Sequence, residues 1–233
     1  MFSPHRLGSG GMDALDRFDV VSEAVVVGPL RLTIVRPRSA EALIDEGEYE
    51  RDERLPYWAE LWPSAHVLAE HLAARDLRGH RIVELGCGVG LPAVVAALGR
   101  AEVLATDWYA DALAFVQANA AAAGARVETL LVDWADPPLD LLLRPAANLV
   151  VGADVLYEER NAAALAALVP RILAPQGELV VADPRRPHAP ALLEILTDQG
   201  WSLITDEMRH GARIDESGPL VRLHRLTPPI PCA

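Results

Sequence analysis

Glu84, Gly86, Gly88, Gly90 and Asp107 are the residues of this 233-residue chain whose types and spacing point most directly to chemistry. The glycines follow an apolar run, Arg81-Ile82-Val83-Glu84-Leu85, and precede another, Leu91 to Leu98. Asp107 lies 21 residues beyond Gly86, closing the run Ala101 to Thr106. A strand, a glycine turn, a helix and a second strand ending on an acid make the nucleotide-binding half of a doubly wound sheet. Glycine lets the backbone take positive φ and approach a ligand closely, and an acid at the strand tip can accept from both hydroxyls of a ribose. A dinucleotide fingerprint requires Gly-x-Gly-x-x-Gly or Ala and would put Leu91 at its third position. The spacing present is Gly-x-Gly-x-Gly, with Glu84 just before it. That carboxylate would repel a pyrophosphate, and it suits a ligand with a cationic amino group.

S-adenosylmethionine is such a ligand: it carries an α-ammonium and a sulfonium and no phosphate. Gly86, Gly88 and Gly90 would then floor a site for it, with Glu84 facing its amino group and Asp107 its ribose. Trp108, next to Asp107, is placed with the cofactor-binding residues. Asp133-Trp134 closes a third apolar run, Arg126 to Val132. A carboxylate there can accept from an exocyclic amine while the indole stacks on adenine, although a turn residue beside a core tryptophan would read the same way. The stretch Leu55 to Ser64 holds two of the five tryptophans and a tyrosine. Trp58 reads equally well as core. Trp62 is expected at the cofactor end, because aromatic faces attract cations by ~0.5–2 kcal/mol. Asp154 and Tyr157 follow the apolar run Asn148 to Gly152. Ligands of open α/β sheets lie beyond the carboxyl ends of the strands, so both should face the transferred methyl.

The elements that must position these residues follow from the same patterning. Val20–Val27 and Leu30–Val35, split by Gly28-Pro29, predict a β-hairpin ahead of the main domain. Ser64 is a candidate N-cap for a helix from Ala65 to Arg75. Further helices are expected over 109–123, from the run after Glu158 to Leu173, and over 190–199. Strands are expected over 178–182, 201–208 and 219–226, the last two as an antiparallel hairpin. The fold expected is an α/β, Rossmann-like doubly wound sheet behind an N-terminal hairpin. Residues 1–19 are expected to be a mobile tail and 20–233 one domain, with hairpin and connector over 20–54 and the core over 55–233.

Composition narrows the functions. The chain is 51% hydrophobic and 23% charged, with no apolar run near the ~20 residues of a membrane span. A net charge of −12 argues against nucleic acid as a partner and is compatible with a cationic substrate. All 21 basic residues apart from histidine are arginine, so a lysine base or Schiff base is excluded. Cys87 and Cys232 show no metal spacing, and a reduced, cytoplasmic protein is the simplest expectation.

The chain resembles the seven-β-strand, class I S-adenosylmethionine-dependent methyltransferases. Within them it is similar to the protein lysine methyltransferases that share an Asp-x-x-Tyr motif after the fourth strand, and among those to the electron-transfer flavoprotein β-subunit lysine methyltransferases, also described as nicotinamide N-methyltransferase-like. The matching pieces are Leu30-Arg31-Leu32 to Pro37-Arg38, Pro56-Tyr57-Trp58-Ala59 with Trp62-Pro63, Glu84 to Gly90, Asp154 to Tyr157, and Asp183-Pro184 with Arg186. The resemblance implies a seven-stranded sheet whose last strand is antiparallel. It implies cofactor contacts at Trp62, Glu84, Gly86, Asp107, Trp134 and Ala153, with Asp154 and Tyr157 near the substrate amine as catalytic residues. It also implies a protein substrate with a target lysine, the electron-transfer flavoprotein β subunit among the candidates; no metal is expected. The alternatives are a small-molecule amine or pyridine N-methyltransferase, a nicotinamide-dependent oxidoreductase, and a catalytically silent cofactor-binding adaptor.

Overall fold

The apolar run ahead of the glycine turn becomes the middle of a sheet. The computed structural model describes residues 15–44, 55–210 and 219–229. Val20–Val27 (β1) and Leu30–Pro37 (β2) pair antiparallel as a separate two-stranded sheet. Seven further strands form the main sheet: Arg81–Leu85 (β3), Glu102–Asp107 (β4), Glu128–Leu131 (β5), Ala147–Ala153 (β6), Leu173–Asp183 (β7), Ser202–His210 (β8) and Leu220–Thr227 (β9). Their order is β5-β4-β3-β6-β7-β9-β8. β9, last in the chain, is antiparallel to both of its neighbours, and the other pairings are parallel. The order reverses between β3 and β6. That reversal opens a crevice at the strands' carboxyl ends.

Side chains alternate across a strand, so the sheet builds two cores. On one face Ile82, Val103, Leu149 and Val180 pack with Pro63–Ala73 (α1), Leu91–Leu98 (α2) and Ala110–Ala122 (α3) through residues such as Leu68, Val95 and Phe115. On the other, Val83, Leu104, Val150 and Leu179 meet Glu159–Ile172 (α5) and Ala189–Asp198 (α6) through Leu165, Leu168 and Leu192. A short helix, Leu139–Leu142 (α4), crosses over to β6 and was not anticipated by periodicity, since four residues carry none. Among the described residues no helix is long and apolar enough to cross a membrane.

Local chemistry shifted three boundaries. Ser64 does not cap α1. Pro63, with φ preset for a helix and no N–H to satisfy, occupies the first turn, so Trp62 is the N-cap residue and the Ser64 hydroxyl is buried inside the helix. Strand β7 starts at Leu173, directly after α5, rather than at Glu178. Pro175-Gln176-Gly177 lies within it, beside a register shift against β6. Of the segment expected to be tail, residues 15–19 pack on the domain: Leu15 is buried, and Phe18 meets Trp58 and Phe115 edge-on. The remainder of that tail through Ala14 and the expected polar connector Asp45 to Arg54 lie outside the described residues.

The hairpin is tied to the glycine turn by one side chain. Asn119 of α3 is fully buried; its Oδ1 accepts the Val35 N–H at 2.8 Å, and its Nδ2 donates to the carbonyls of Val35 and Val89, both at 2.9 Å. Replacing it by alanine strands three buried backbone groups, each worth about 1 kcal/mol or more. Asn119→Ala is expected to lower unfolding free energy by about 3 kcal/mol in a denaturant titration, and to weaken S-adenosylhomocysteine binding because the Val89 carbonyl loses its anchor.

Candidate active site

A cavity of about 970 Å³ occupies the crevice, lined from the carboxyl ends of β3, β4, β5 and β6 and from the segment around Tyr57 to Trp62. Every site residue named from the sequence lines it: Trp62, Glu84, Gly86, Gly88, Gly90, Asp107, Trp108, Asp133, Trp134, Ala153, Asp154 and Tyr157. Trp58, left open between core and site, reaches the cavity but is mainly core: it is 7% exposed and packs against Phe18, Tyr109 and Phe115.

The turn after β3 places its backbone by left-handed steps. Gly90 has φ +86°, and a Cβ there would sit 2.8 Å from Val116 of α3. Gly86 has φ +66°, with Trp134 packed where its Cβ would point, at 3.2 Å. These glycines therefore admit neighbouring side chains as well as a ligand.

Glu84 and Asp107 dominate the chemistry of this half. Glu84 is 1% exposed, and its Oε2 has no hydrogen-bond partner among the described residues. Burial drives its carboxyl well above the usual carboxylate range; a hydrogen bond from the Ala93 backbone N–H at the start of α2 opposes this, and the charge of Asp107 reinforces it. Asp107 is held at the tip of β4, accepting from the Gly88 N–H at 2.9 Å and the Tyr109 N–H at 3.0 Å. The buried Trp134 Nε1 is likewise without a partner among the described residues. Asp133 is half-buried and accepts the Ala135 N–H at 2.9 Å, a turn contact that leaves its second oxygen for a ligand. A buried carboxyl with one unpartnered oxygen, an oriented carboxylate and an indole beside the glycine turn together fit S-adenosylmethionine, whose amino, ribose and adenine groups need those partners.

The other half is aromatic and contains a fixed ion pair. Tyr57 lies edge-on to Trp62 (ring centroids 6.0 Å apart) and to Tyr157 (5.4 Å). The Trp62 Nε1–H donates to the Tyr57 carbonyl at 2.9 Å. Asp154 is not a free carboxylate. Arg186 grips it with both prongs, Nε to Oδ1 at 2.7 Å and Nη2 to Oδ2 at 2.9 Å. The Asp154 backbone is left-handed, φ +57°, and its N–H donates to the Ala182 carbonyl at 2.8 Å. Arg186 was visible in the sequence only as part of the Asp-Pro-x-Arg block, and nothing in spacing connects it to a residue 32 positions away. Asn161, also on the cavity wall, was not anticipated; its side chain donates to the Val155 carbonyl at 3.0 Å and secures the loop that carries Tyr157. Among the described residues there is no cluster of metal-ligating side chains.

This sheet order and this crevice define a class I methyltransferase fold. The structure superposes on magnesium protoporphyrin IX methyltransferase from Synechocystis, solved with S-adenosylmethionine bound, with a TM-score of 0.56 and 20% identity, over 79% of this chain and 86% of that one. At that identity the likeness establishes the fold. Residues 51–193 match the lysine methyltransferase family, and the chain belongs to it. Protein N-lysine methyltransferase METTL21A of Danio rerio is 37% identical over 119 residues, 48% of this chain and 54% of its own length. The electron transfer flavoprotein beta subunit lysine methyltransferase of Xenopus laevis is 44% identical over 55 residues, 22% of each chain. The chain thus spans about half the length, or less, of these curated relatives.

Two outcomes test the cofactor half. Asp107→Ala is expected to weaken S-adenosylhomocysteine binding about tenfold or more by calorimetry, because a charge-assisted pair of acceptors is lost; unchanged affinity would remove Asp107 from the ribose site. Binding of the same ligand is expected to be accompanied by proton release. Burial raises the Glu84 carboxyl, and a cationic amino group beside it would lower it again. Calorimetry in buffers of different ionisation enthalpy should show more proton release by the native chain than by Glu84→Gln; equal release would remove Glu84 from the amino-group site.

Proposed function

We propose that the chain is an S-adenosylmethionine-dependent N-methyltransferase acting on lysine ε-amines of a protein substrate, with the electron-transfer flavoprotein β subunit as one candidate. The observation that carries this reading is a single cavity with two chemically distinct halves: the carboxyls Glu84 and Asp107 with Trp134 on one side, and Tyr57, Tyr157 and Asp154 on the other. Family membership supports lysine as the acceptor. A reduced, cytoplasmic setting is consistent with Cys87, a buried free thiol whose pKa is raised by burial and by the charges of Asp107 and Glu84.

When bound, S-adenosylmethionine supplies a methyl group activated by its sulfonium. In the reading proposed here Glu84 holds its amino group, Asp107 its ribose, Asp133 and Trp134 its adenine, and Trp62 with Ala153 the methyl-bearing end. Trp108, 38% exposed, would cover the outer edge of the nucleoside. The acceptor must arrive as a free amine. At pH 7 the neutral fraction of a lysine with pKa ≈ 10.4 costs about 4–5 kcal/mol, so the acceptor half has to orient the amine and let its proton go. Tyr57 and Tyr157 flank its path, and Asp154 presents oriented oxygen lone pairs. Because both Asp154 oxygens are engaged by Arg186, Asp154 serves as an orienting acceptor, and the amine's proton leaves to solvent. Holding both reactants in one pocket supplies the rest of the acceleration.

Tritiated donor added with the purified chain to a lysate of cells lacking this gene tests the reading. Label is expected in protein and, after hydrolysis, on methylated lysine; the chain itself contains no lysine that could be labelled. Label confined to small molecules would favour the amine or pyridine alternative, and no label at all would overturn the activity. Asp154→Asn, which tolerates a left-handed backbone, is expected to cut transfer about a hundredfold while leaving S-adenosylhomocysteine affinity within about twofold.

A further inference from the structure

Three sequence blocks that are far apart in the chain converge on one guanidinium. Arg186 pairs in bidentate fashion with Asp154, and its guanidinium carbon lies 5.8 Å from the Trp62 ring centroid. Asp183, 1% exposed, accepts the backbone N–H groups of Arg185 at 2.8 Å and Arg186 at 3.1 Å, which fixes the turn that delivers the side chain. Arg185 takes φ +72° to make that turn.

Stability does not account for this pair. β6 and β7 already pair directly up to Ala153 and Ala182, so no extra strut is needed between them. A buried ion pair gains little over an apolar replacement, because desolvation of the two charges offsets their attraction. The side chain of Asp154 is 5% exposed and that of Arg186 34%, and both face the cavity.

The half-buried acids around Asp154 follow one pattern. Glu60 pairs with Arg36 at 3.4 Å, and Glu158 pairs with Arg160. Asp183 is spent on backbone N–H groups, and Tyr57, Tyr157 and Glu159 are further titratable groups at this end. Glu159 is exposed at the first turn of α5. Across the cavity, one oxygen of Glu84 has no hydrogen-bond partner among the described residues, and Asp107 accepts from the backbone N–H groups of Gly88 and Tyr109.

We infer that Arg186 is a positioning residue of the acceptor half: it fixes the two oxygens of Asp154 and cancels their charge, so that an incoming amine is oriented without being held as an ammonium. An uncompensated carboxylate beside the amine would favour its charged form, and each tenfold loss of neutral amine is a tenfold loss of nucleophile. The inference rests on the methyl-transfer reading above.

The experiment compares the native chain with Arg186→Gln and Arg186→Lys. Each is given tritiated S-adenosylmethionine and the lysate described above, and initial incorporation into the labelled protein band is followed from about pH 6.5 to 10. Arg186→Gln is expected to bind S-adenosylhomocysteine within about twofold of native by calorimetry. Its incorporation at pH 7 should fall about tenfold or more, and the acid limb of its profile should move up by about one pH unit, so that it approaches native at the alkaline end. Arg186→Lys should keep the native limb. A glutamine profile lowered equally at every pH, or no transfer at any pH with S-adenosylhomocysteine binding intact, would overturn the inference and leave the methyl-transfer reading standing. A native chain that labels nothing would instead remove that reading. If Arg186→Gln does not fold, because Asp154 is left buried and unpaired, the double variant Asp154→Asn/Arg186→Gln decides: its limb must lie at the native pH, and a limb shifted upward refutes the role.

Discussion

Charge that is kept from water and then divided unequally across one crevice is the constraint on which the rest of this structure depends. On the β3 and β4 side, Glu84 and Asp107 sit near adjacent strand ends, Asp107 accepting from the backbone N–H groups of Gly88 and Tyr109, and burial holds the Glu84 carboxyl well above its usual range. On the β6 and β7 side, each half-buried carboxylate is matched by an arginine or by backbone N–H groups. In the reading proposed above, the donor's amino group would meet acidic oxygens in one half, and the acceptor amine would meet, in the other, a carboxylate already matched by a guanidinium.

The scaffold is organised to keep the two halves in register. The strand order reverses between β3 and β6, and with both strands parallel their carboxyl ends meet at one opening. Asn119 joins three elements at once, bonding β2 and the glycine turn from α3. Gly90 lets Val116 approach, so the turn and α3 are packed as a single body. The hairpin lies outside the main sheet, yet its buried residues Val25, Val27, Ile34 and Val35 belong to the same core as α1 and α3. Displacing the hairpin would move the floor of the cavity through those contacts.

The aromatic residues connect the halves. Trp62 meets Tyr57 and Arg186 and is the N-cap residue of α1. Trp134 packs against Gly86 at the far end of the cavity. A guanidinium over an indole face gains about 0.5–2 kcal/mol depending on exposure, which helps keep Arg186 extended toward Asp154 instead of out into solvent.

Much of this was legible before any coordinates. Hydrophobic runs of strand and helix length located β3, α2 and the hairpin turn, and the spacing from Gly86 to Asp107 singled out residues that line the crevice, because a strand–turn–helix–strand unit is local and its geometry is short-range. Asp154 and Tyr157 were found by the same logic, since they follow a strand whose carboxyl end must face the ligand. What the sequence could not decide was which charges would meet. Asp154 and Arg186 are brought together by parallel pairing of β6 with β7, Asn119 reaches Val35 across 84 positions, and Glu60 finds Arg36 through the placement of the hairpin. Pairing between distant segments is set by the order of strands and the packing of helices on them, and neither leaves a periodic trace in the chain. The residue types were thus written locally, and their electrostatic roles were assigned by the tertiary fold.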